Sequence, residues 1–245
     1  MSVVLYESCD HVATITLNRP DKRNAINEPM SSGLRAAWER LARSEDRVAI
    51  LTGAGQQAFS AGVDLHEPPN SLVDCLPGVG LELDKPIIAA ISGWCVGGAG
   101  LLVLLSDLAV ASETARFTFP EPRLGDFGGV MSGLVSRIPY KWAMEFLLLG
   151  EELAPQRAAE MGFINRVVPA GTHLKQAQEW ASRIAAGAPL VIQAVKNFAR
   201  ATVARGPLER AQLRKELLAQ IRASSDRAEG LKAFAEQRKP RFTGS

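Results

Sequence analysis

The sequence predicts an α/β protein, and three observations support this class. Apolar segments rich in β-branched residues have the composition of buried strands; they are residues 12–17, 48–52, 87–91 and 108–111. Residues 27–41 carry apolar side chains at helical spacing, with Asn27 as the expected cap and Pro29 in the first turn. From about Ala170 onward only helical spacing remains. Strands that alternate with helices are typical of the α/β class.

Each element has its own signal in the sequence. The first strand, residues 12–17, ends in a turn-forming segment that contains Pro20. One face of the following helix is apolar and consists of Met30, Leu34, Ala37, Trp38 and Leu41. Residues 67–80 contain two prolines near the start and a Pro-Gly pair near the end, which predicts irregular chain. We expect that segment to be mobile and to lie where it can cover a substrate.

Composition argues against several classes of protein. The chain has 28 Lys and Arg against 26 Asp and Glu, a net charge of +2, and no basic run typical of nucleic-acid binding. Its three cysteines, Cys9, Cys75 and Cys95, are odd in number and lack metal-ligand spacing. We therefore expect neither a disulfide framework nor a metal site. The N-terminus has no basic segment before its apolar residues, so we expect a cytoplasmic protein without a secretory signal.

An uncharged stretch, residues 87–106, is long enough to cross a membrane. Glycines at 93, 97 and 98 divide it, however, and each piece has the length of a buried strand or a short helix. We predict a strand, a turn and a helix here, and no membrane span.

Two glycine turns are the most informative feature of the chain. Residues 59–65 (FSAGVDL) and 93–101 (GWCVGGAGL) each resemble a strand end that runs through glycine into the start of a helix. A pair of such turns can aim two backbone N–H groups at one anionic oxygen. Isolated glycines would instead be explained by tight turns or close packing.

These segments and several others resemble the crotonase, or enoyl-CoA hydratase/isomerase, family. The matching segments follow the family's order and span nearly the whole chain: residues 17–25, 58–65, 85–98, 119–125 and 158–169. The resemblance implies a ClpP/crotonase-like spiral of ββα units with a C-terminal helical region. It further implies an acyl-CoA site in a core of residues 1–190 and a helical trimerisation region at 191–245. The expected assembly is a homotrimer or a hexamer built as a dimer of trimers.

The resemblance also assigns roles to individual residues. The N–H groups of Val63 and Gly98 match the family's oxyanion hole, which would stabilise the enolate formed beside a thioester. Glu121 matches a family glutamate and is the residue that we expect to transfer protons. Asp126 follows in a Gly-rich turn, shorter than is usual in the family. It is a second candidate acid, with turn formation or helix capping as the alternative.

Further residues match positions along the coenzyme A moiety of the substrate. Lys22, Arg23, His66 and Glu67 correspond to positions that run along its nucleotide, and the backbone of Ala25 corresponds to one that meets the adenine. Ala61, Leu65 and Leu101 complete the expected binding residues, together with Asp64. The carboxylate of Asp64 is better explained as the cap of a helix start than as a base.

Leu101 is the main departure from the family pattern. Hydratases of the family place a glutamate here, so that two carboxylates hold and activate the water. Isomerases that move a double bond between the 3 and 2 positions can use the single glutamate matched by Glu121. We therefore expect an isomerase first.

Several alternatives stay open at this stage. One is a hydratase, of full or reduced rate, that depends on Glu121 alone or on Asp126. Others are decarboxylation, thioester or C–C hydrolysis through the same oxyanion hole, and noncatalytic acyl-CoA binding. RNA binding is also known among relatives, but the weak positive charge argues against it. No metal or redox cofactor is implied, because coenzyme A enters as part of the substrate.

Overall fold

The computed structural model of this chain describes residues 2–124, 130–204 and 223–244. The chain divides into two compact units, Met1–Gly206 and Pro207–Ser245. The first unit contains both sheets and the candidate site. Within the described part of the second unit, Ser225–Ala235 forms a helix, named α8 here.

The larger sheet is formed by the predicted apolar strands. Its order is β1 (Val4–Cys9), β2 (Val12–Leu17), β3 (Val48–Gly53), β5 (Ile87–Ile91), β7 (Leu108–Ser112) and β9 (Arg166–Val168). β1 pairs with β2 in antiparallel fashion, and the later neighbours are parallel. All of β5 is buried, as its uniformly apolar sequence predicts for a parallel strand.

A second, smaller sheet lies at the ends of these strands. It consists of three short parallel strands, β4 (Ala58–Ser60), β6 (Trp94–Val96) and β8 (Arg116–Thr118). Each follows a strand of the larger sheet: β4 follows β3, β6 follows β5 and β8 follows β7. A strand of the larger sheet followed by one of the smaller sheet is thus repeated three times, and a helix follows β6 and β8. This repeat forms the predicted spiral of ββα units.

The helices of the first unit cover the larger sheet and the site. They are α1 (Glu28–Arg43), α2 (Gly98–Leu104), α3 (Glu121–Leu124), α4 (Tyr140–Leu149), α5 (Pro155–Glu160), α6 (His173–Ala185) and α7 (Pro189–Thr202). The side chain of Asn27 accepts a hydrogen bond from Met30 N, so the predicted cap of α1 is confirmed. The predicted apolar face of α1 is fully or almost fully buried. Ala177, Ala181 and Ala185 pack α6 against the sheet, and their small side chains allow close approach.

Residues 87–106 form the predicted strand, turn and short helix, here β5, a turn and α2, with the additional short strand β6 between the turn and the helix. No described helix is both long and apolar enough to traverse a bilayer. β1 was not predicted, because most of its residues are polar or exposed at the sheet edge.

The segment that follows the first glycine turn is irregular, as expected, apart from a 3-10 turn at Val73–Cys75. Part of it is fixed rather than exposed. Cys75 and Leu76 are fully buried, and the indole nitrogen of Trp38 donates a hydrogen bond to Cys75 O at 2.9 Å. Its second half is therefore packed into the fold, while the expectation that the segment is mobile and covers a substrate stays a prediction.

Candidate active site

The two glycine turns meet at the ends of β4 and β6. Gly62 has φ +81° and Gly97 has φ +50°, values that favour glycine. A Cβ on Gly62 would overlap Val96 O and stand 3.3 Å from Gly98 N. A Cβ on Gly98 would stand 3.7 Å from Val63 N. The close approach of the two turns therefore places the amides of Val63 and Gly98 side by side.

Both of these N–H groups are available to a ligand. Within the described part of the chain, neither Val63 N nor Gly98 N donates a hydrogen bond, whereas Ile26 O accepts from the next amide, Asp64 N, at 3.0 Å. Gly98 is the first residue of α2, so its N–H has no partner within the helix. The pair has the arrangement that an oxyanion hole requires.

Glu121 lies against Gly97, the residue that precedes Gly98. It is the first residue of α3, directly after Pro120. Its Oε1 is 2.5 Å and its Cδ 3.3 Å from the position that a Cβ would occupy on Gly97. Its Oε2 is buried. The absence of a side chain at Gly97 therefore leaves the space in which the carboxylate lies.

The two turns and Glu121 line one cavity of about 230 Å³. Its described lining comprises Ala61, Gly62, Val63, Leu65, Leu72, Val96, Gly97, Gly98, Leu101, Phe119, Pro120, Glu121, Leu124 and Met131. Glu121 is the one ionisable side chain among these residues. The cavity therefore combines one carboxylate with two amide donors in apolar surroundings.

Leu101 lies on the α2 side of this cavity and is 5 % exposed. It follows Gly98 by three residues, so its side chain lies on the same side of the helix. Leu72 and Met131 line the same cavity but were not identified from sequence. Neither residue lies in a recognisable motif, so no sequence pattern indicated their role. The fold brings their segments to the cavity.

Asp64 does not cap a helix, so this part of the prediction is wrong. The chain bends after Val63 instead of starting a helix. Asp64 still binds local amides, since its Oδ1 accepts from His66 N at 3.2 Å and from Glu67 N at 3.3 Å. Its Oδ2 is 3.1 Å from Nη1 of Arg19. An aspartate at a bend makes the same hydrogen bonds as at a helix cap, which explains the error.

The pKa of Asp64 is lowered from its ordinary value. Partial burial acts to raise it, but the hydrogen bond from Arg19 and the amides of His66 and Glu67 together outweigh that effect. Asp64 is therefore ionised at neutral pH and engaged by its neighbours.

The residues expected along coenzyme A fall into two groups. Ala61 and Leu65 line the cavity. Lys22, Arg23 and His66 lie outside it and are exposed. Ala25 is buried, and its carbonyl oxygen accepts a hydrogen bond from Nη1 of Arg19 at 2.7 Å.

Two remaining candidates have different outcomes. Glu67 Oε2 is 3.4 Å from Nδ2 of Asn27, the α1 cap, and this contact occupies its carboxylate. Asp126 lies outside the described residues, so its role stays a prediction.

A larger cavity, of about 450 Å³, lies along α7. It is lined by apolar residues of α7 together with Asp107, Arg137, Lys196 and Arg200. Lys196 Nζ is bound to Asp107 Oδ2 at 2.8 Å and to Lys85 O at 2.7 Å. Neither glycine turn contributes to this cavity, so we place the candidate active site in the smaller one.

Comparison with known proteins agrees with this fold. The family model for enoyl-CoA hydratase/isomerase matches residues 7–245. (E)-benzylidenesuccinyl-CoA hydratase of Thauera aromatica is 36 % identical over 257 residues, which cover 99 % of each chain. An enoyl-CoA hydratase of Mycobacterium tuberculosis is 36 % identical over 255 residues, which cover 97 % of this chain and 95 % of the other. The crystal structure of carnitinyl-CoA hydratase from Mycobacterium avium superimposes with a TM-score of 0.78 at 34 % identity, covering 100 % of both chains.

The fold and the paired glycine turns thus define a protein of the crotonase class. The chain belongs to the enoyl-CoA hydratase/isomerase family.

Proposed function

We propose that this enzyme moves the double bond of an acyl-CoA thioester from the 3 to the 2 position. The observation that carries the proposal is the cavity lining, in which Glu121 is the one described carboxylate and Leu101 stands at the position of a second. One base and one oxyanion hole suffice for this reaction. An isomerisation requires no metal or redox cofactor, because it adds and removes only a proton.

The proposed cycle has two proton transfers. The Glu121 carboxylate takes a proton from C2 of the 3-enoyl thioester, and the electrons move onto the thioester oxygen. The N–H groups of Val63 and Gly98 stabilise that oxygen; the loss of one such donor typically costs about 10²–10³ in rate. Glu121 then returns the proton at C4, and the double bond forms between C2 and C3.

The apolar lining of the cavity favours an acyl group that carries no charge near the reacting carbons. Leu65, Leu72, Leu101 and Met131 offer no described partner for a polar substituent there. We propose unbranched or branched hydrocarbon acyl chains as the preferred class.

The test uses 3-enoyl-CoA and 2-enoyl-CoA thioesters with the wild type and Glu121→Gln. Isomerisation produces a conjugated thioester, detected by ultraviolet absorbance, without a change in mass. We expect this conversion in the wild type and its loss in Glu121→Gln, which keeps the shape of the side chain but cannot accept the proton. A product heavier by one water, with no conversion of the 3-enoyl substrate, would contradict the isomerase proposal.

A second candidate is enoyl-CoA hydration. The observation that favours it is that the relatives named above are called hydratases. In that case Glu121 would activate the water alone or with Asp126. An Asp126→Asn variant with normal isomerisation and lost hydration would support this role for Asp126.

We also propose that the enzyme assembles as a homotrimer or as a dimer of trimers. Val191, Val195 and Phe198 are 60 %, 63 % and 74 % exposed along one face of α7, an apolar surface of the kind that subunits cover. Light scattering coupled to size exclusion measures the mass directly. A monomer at micromolar concentration would contradict the proposal.

A further inference from the structure

Arg19 connects the turn after β2 to the segment that carries the first oxyanion donor. Its Nη1 donates hydrogen bonds to Ala25 O at 2.7 Å and to Asp64 Oδ2 at 3.1 Å. The side chains of Arg19 and Asp64 are 14 % and 11 % exposed, so water has little access to the pair. Charge-assisted hydrogen bonds of this kind are stronger than neutral ones.

Asp64 is the residue next to Val63, and the backbone on both sides of Val63 is held. Ile26 N donates to Gly62 O at 2.7 Å, and Asp64 N donates to Ile26 O at 3.0 Å. These two bonds set the path of the chain through Val63. The side chain of Asp64 adds a further link, because Arg19 binds one of its oxygens and the amides of His66 and Glu67 bind the other.

The turn that carries Arg19 is itself braced. Arg19 N donates to the side-chain oxygen of Asn24 at 3.0 Å. The side-chain nitrogen of Asn24 donates to Ala54 O and to Ala58 O, both at 2.9 Å. Ala61 N also donates to Arg23 O at 2.8 Å. Arg19 therefore links Asp64 to a fixed part of the fold rather than to a loose loop.

We propose that Arg19 is a positioning residue: through Asp64 it fixes the direction in which the Val63 N–H points at the thioester oxygen. This inference rests on the proposed oxyanion hole, but not on which reaction follows. Arg19 does not line the described cavity, so it acts through Asp64 and does not touch the reacting atoms.

An arginine in this region has one obvious alternative role, which is to bind a phosphate of coenzyme A. The two roles differ in what they change. Loss of a phosphate contact weakens binding and raises KM, whereas a misdirected amide lowers kcat and leaves binding almost intact.

The test uses Arg19→Gln, Arg19→Lys and Asp64→Asn, with Arg35→Gln as the control. Arg35 forms an exposed pair with Glu39 on α1 and lies outside the cavity. The main readout is the infrared carbonyl frequency of a bound saturated thioester, butyryl-CoA carrying ¹³C at the carbonyl. This ligand cannot react, so the readout is independent of isomerisation or hydration. Thermal unfolding, kcat and KM are measured in parallel.

We expect the bound carbonyl to shift to lower frequency in the wild type and to move back toward the free value in Arg19→Gln and Asp64→Asn. A displaced donor costs on the order of 10² in kcat, with KM changed less than about threefold. Arg19→Lys should recover only part of the loss, because one ammonium cannot reproduce the geometry of a guanidinium. The double variant should be no worse than either single one, since both remove the same link.

Two results would overturn the inference. One is a raised KM with unchanged kcat and carbonyl frequency in Arg19→Gln, which would assign Arg19 to a phosphate. The other is a wild-type carbonyl that is not shifted at all, which would mean that there is no oxyanion hole to position. A shifted wild-type carbonyl without isomerase activity would instead overturn only the proposed reaction. If Arg19→Gln does not fold, Asp64→Asn makes the same test from the other side of the pair.

Discussion

The carboxylate of Glu121 occupies the space that a side chain on Gly97 would need. Oε1 of Glu121 is 2.5 Å from the position of a Cβ on Gly97, far closer than van der Waals contact. The glycine that shapes the second turn is thus also the residue that makes room for the expected acid/base. Glycine meets two separate requirements at position 97. The turn needs a φ of +50°, and the carboxylate of Glu121 needs the space that a side chain would fill.

Gly97→Ala should therefore reduce activity as well as stability. The added methyl group displaces the end of the Glu121 side chain, and a displacement of about 1 Å costs on the order of 10² in rate. The backbone of Gly97, at φ +50° and ψ −117°, lies outside the left-handed helical region and favours glycine, so alanine there adds about 1–3 kcal/mol of strain. The matched control is Gly100→Ala in α2, whose Cβ would meet Met131 at an ordinary 3.5 Å. Equal activity in the two variants, measured by kcat/KM, would show that the position of Glu121 is not critical.

Leu101→Glu tests whether a second carboxylate is the difference between the two candidate reactions. The new side chain would enter the cavity from α2 and provide a second acid/base for water, while burial raises its pKa. We expect hydration of a 2-enoyl-CoA to rise by about 10², the low end of the contribution of a positioned general acid or base. Leu101→Gln is the control, since it adds polarity but no proton transfer. Equal hydration by both variants would argue against the family role of position 101.

The ion pair between Lys196 and Asp107 predicts an asymmetric pair of stability changes. Lys196 and Asp107 are 6 % and 28 % exposed at their side chains, and burial lowers the pKa of Lys196. Asp107→Ala leaves a buried cation without its partner. It should cost about 2–3 kcal/mol, below the value for a fully buried pair because Asp107 is partly exposed. Lys196→Met removes the cation itself and should cost less.

A pH series checks the sign of this effect. Because the folded pKa of Lys196 lies below its unfolded value, the unfolded state binds the proton more strongly. Stability should therefore recover in Asp107→Ala as the pH rises from the folded pKa toward the unfolded value near 10.4. Unfolding midpoints at pH 7 and pH 9.5 measure this recovery. A midpoint that is insensitive to pH would mean that Lys196 keeps its charge by another contact.

Asp46 should make the fold sensitive to acid. It is 4 % exposed, and its oxygens accept hydrogen bonds from Tyr6 Oη and Ser8 Oγ, both at 2.6 Å. Burial acts to raise the pKa of Asp46, but these bonds, Ser44 and the charge of Lys85 lower it overall. Burial and the bond to Asp46 raise the pKa of Tyr6 to about 12, so the phenol stays a donor in the neutral range.

The stability that Asp46 contributes is present above its unfolded pKa of about 3.9 and is lost as the pH falls toward the lower, folded value. Asp46→Asn should lower stability by about 1.5–3 kcal/mol at pH 7, as expected for hydrogen bonds to a charged group. The difference from wild type should shrink as the pH falls below about 4. Glu39→Gln, which alters an exposed pair, is the control. A constant difference at every pH would contradict the assignment.

Much of the fold was predictable because its central strands have simple signals. β3 and β5 are almost wholly apolar, and no alternative to a buried strand suits them. β1 was missed because it lies at the sheet edge and four of its six residues are exposed, so it lacks the apolar pattern of a buried strand. The role of the first glycine turn as a backbone donor stays a prediction, and the helix expected after Asp64 does not form. An aspartate at a bend accepts the same hydrogen bonds from nearby backbone amides as an aspartate at the start of a helix. The sequence therefore does not distinguish the two.

The site was only partly predictable. Val63, Gly98, Glu121 and Leu101 belong to sequence motifs, and the structure brings all four to one cavity. Arg19 belongs to a turn motif too, but nothing in the sequence couples it to a residue 45 positions later. Leu72 and Met131 are ordinary apolar residues whose place in the cavity depends on the path of the whole chain.

The separation of backbone and side-chain roles in this cavity has a consequence for its variability. The donors of Val63 and Gly98 belong to the main chain, so replacing the side chain at position 63 leaves its amide in place. In the proposed mechanism, activation of the thioester is thus insulated from most point mutations, while the groups that would decide the fate of the enolate are side chains at positions such as 101, 121 and 131. A library varied only at these side chains should yield enzymes that all polarise the thioester carbonyl and differ in the reaction that follows.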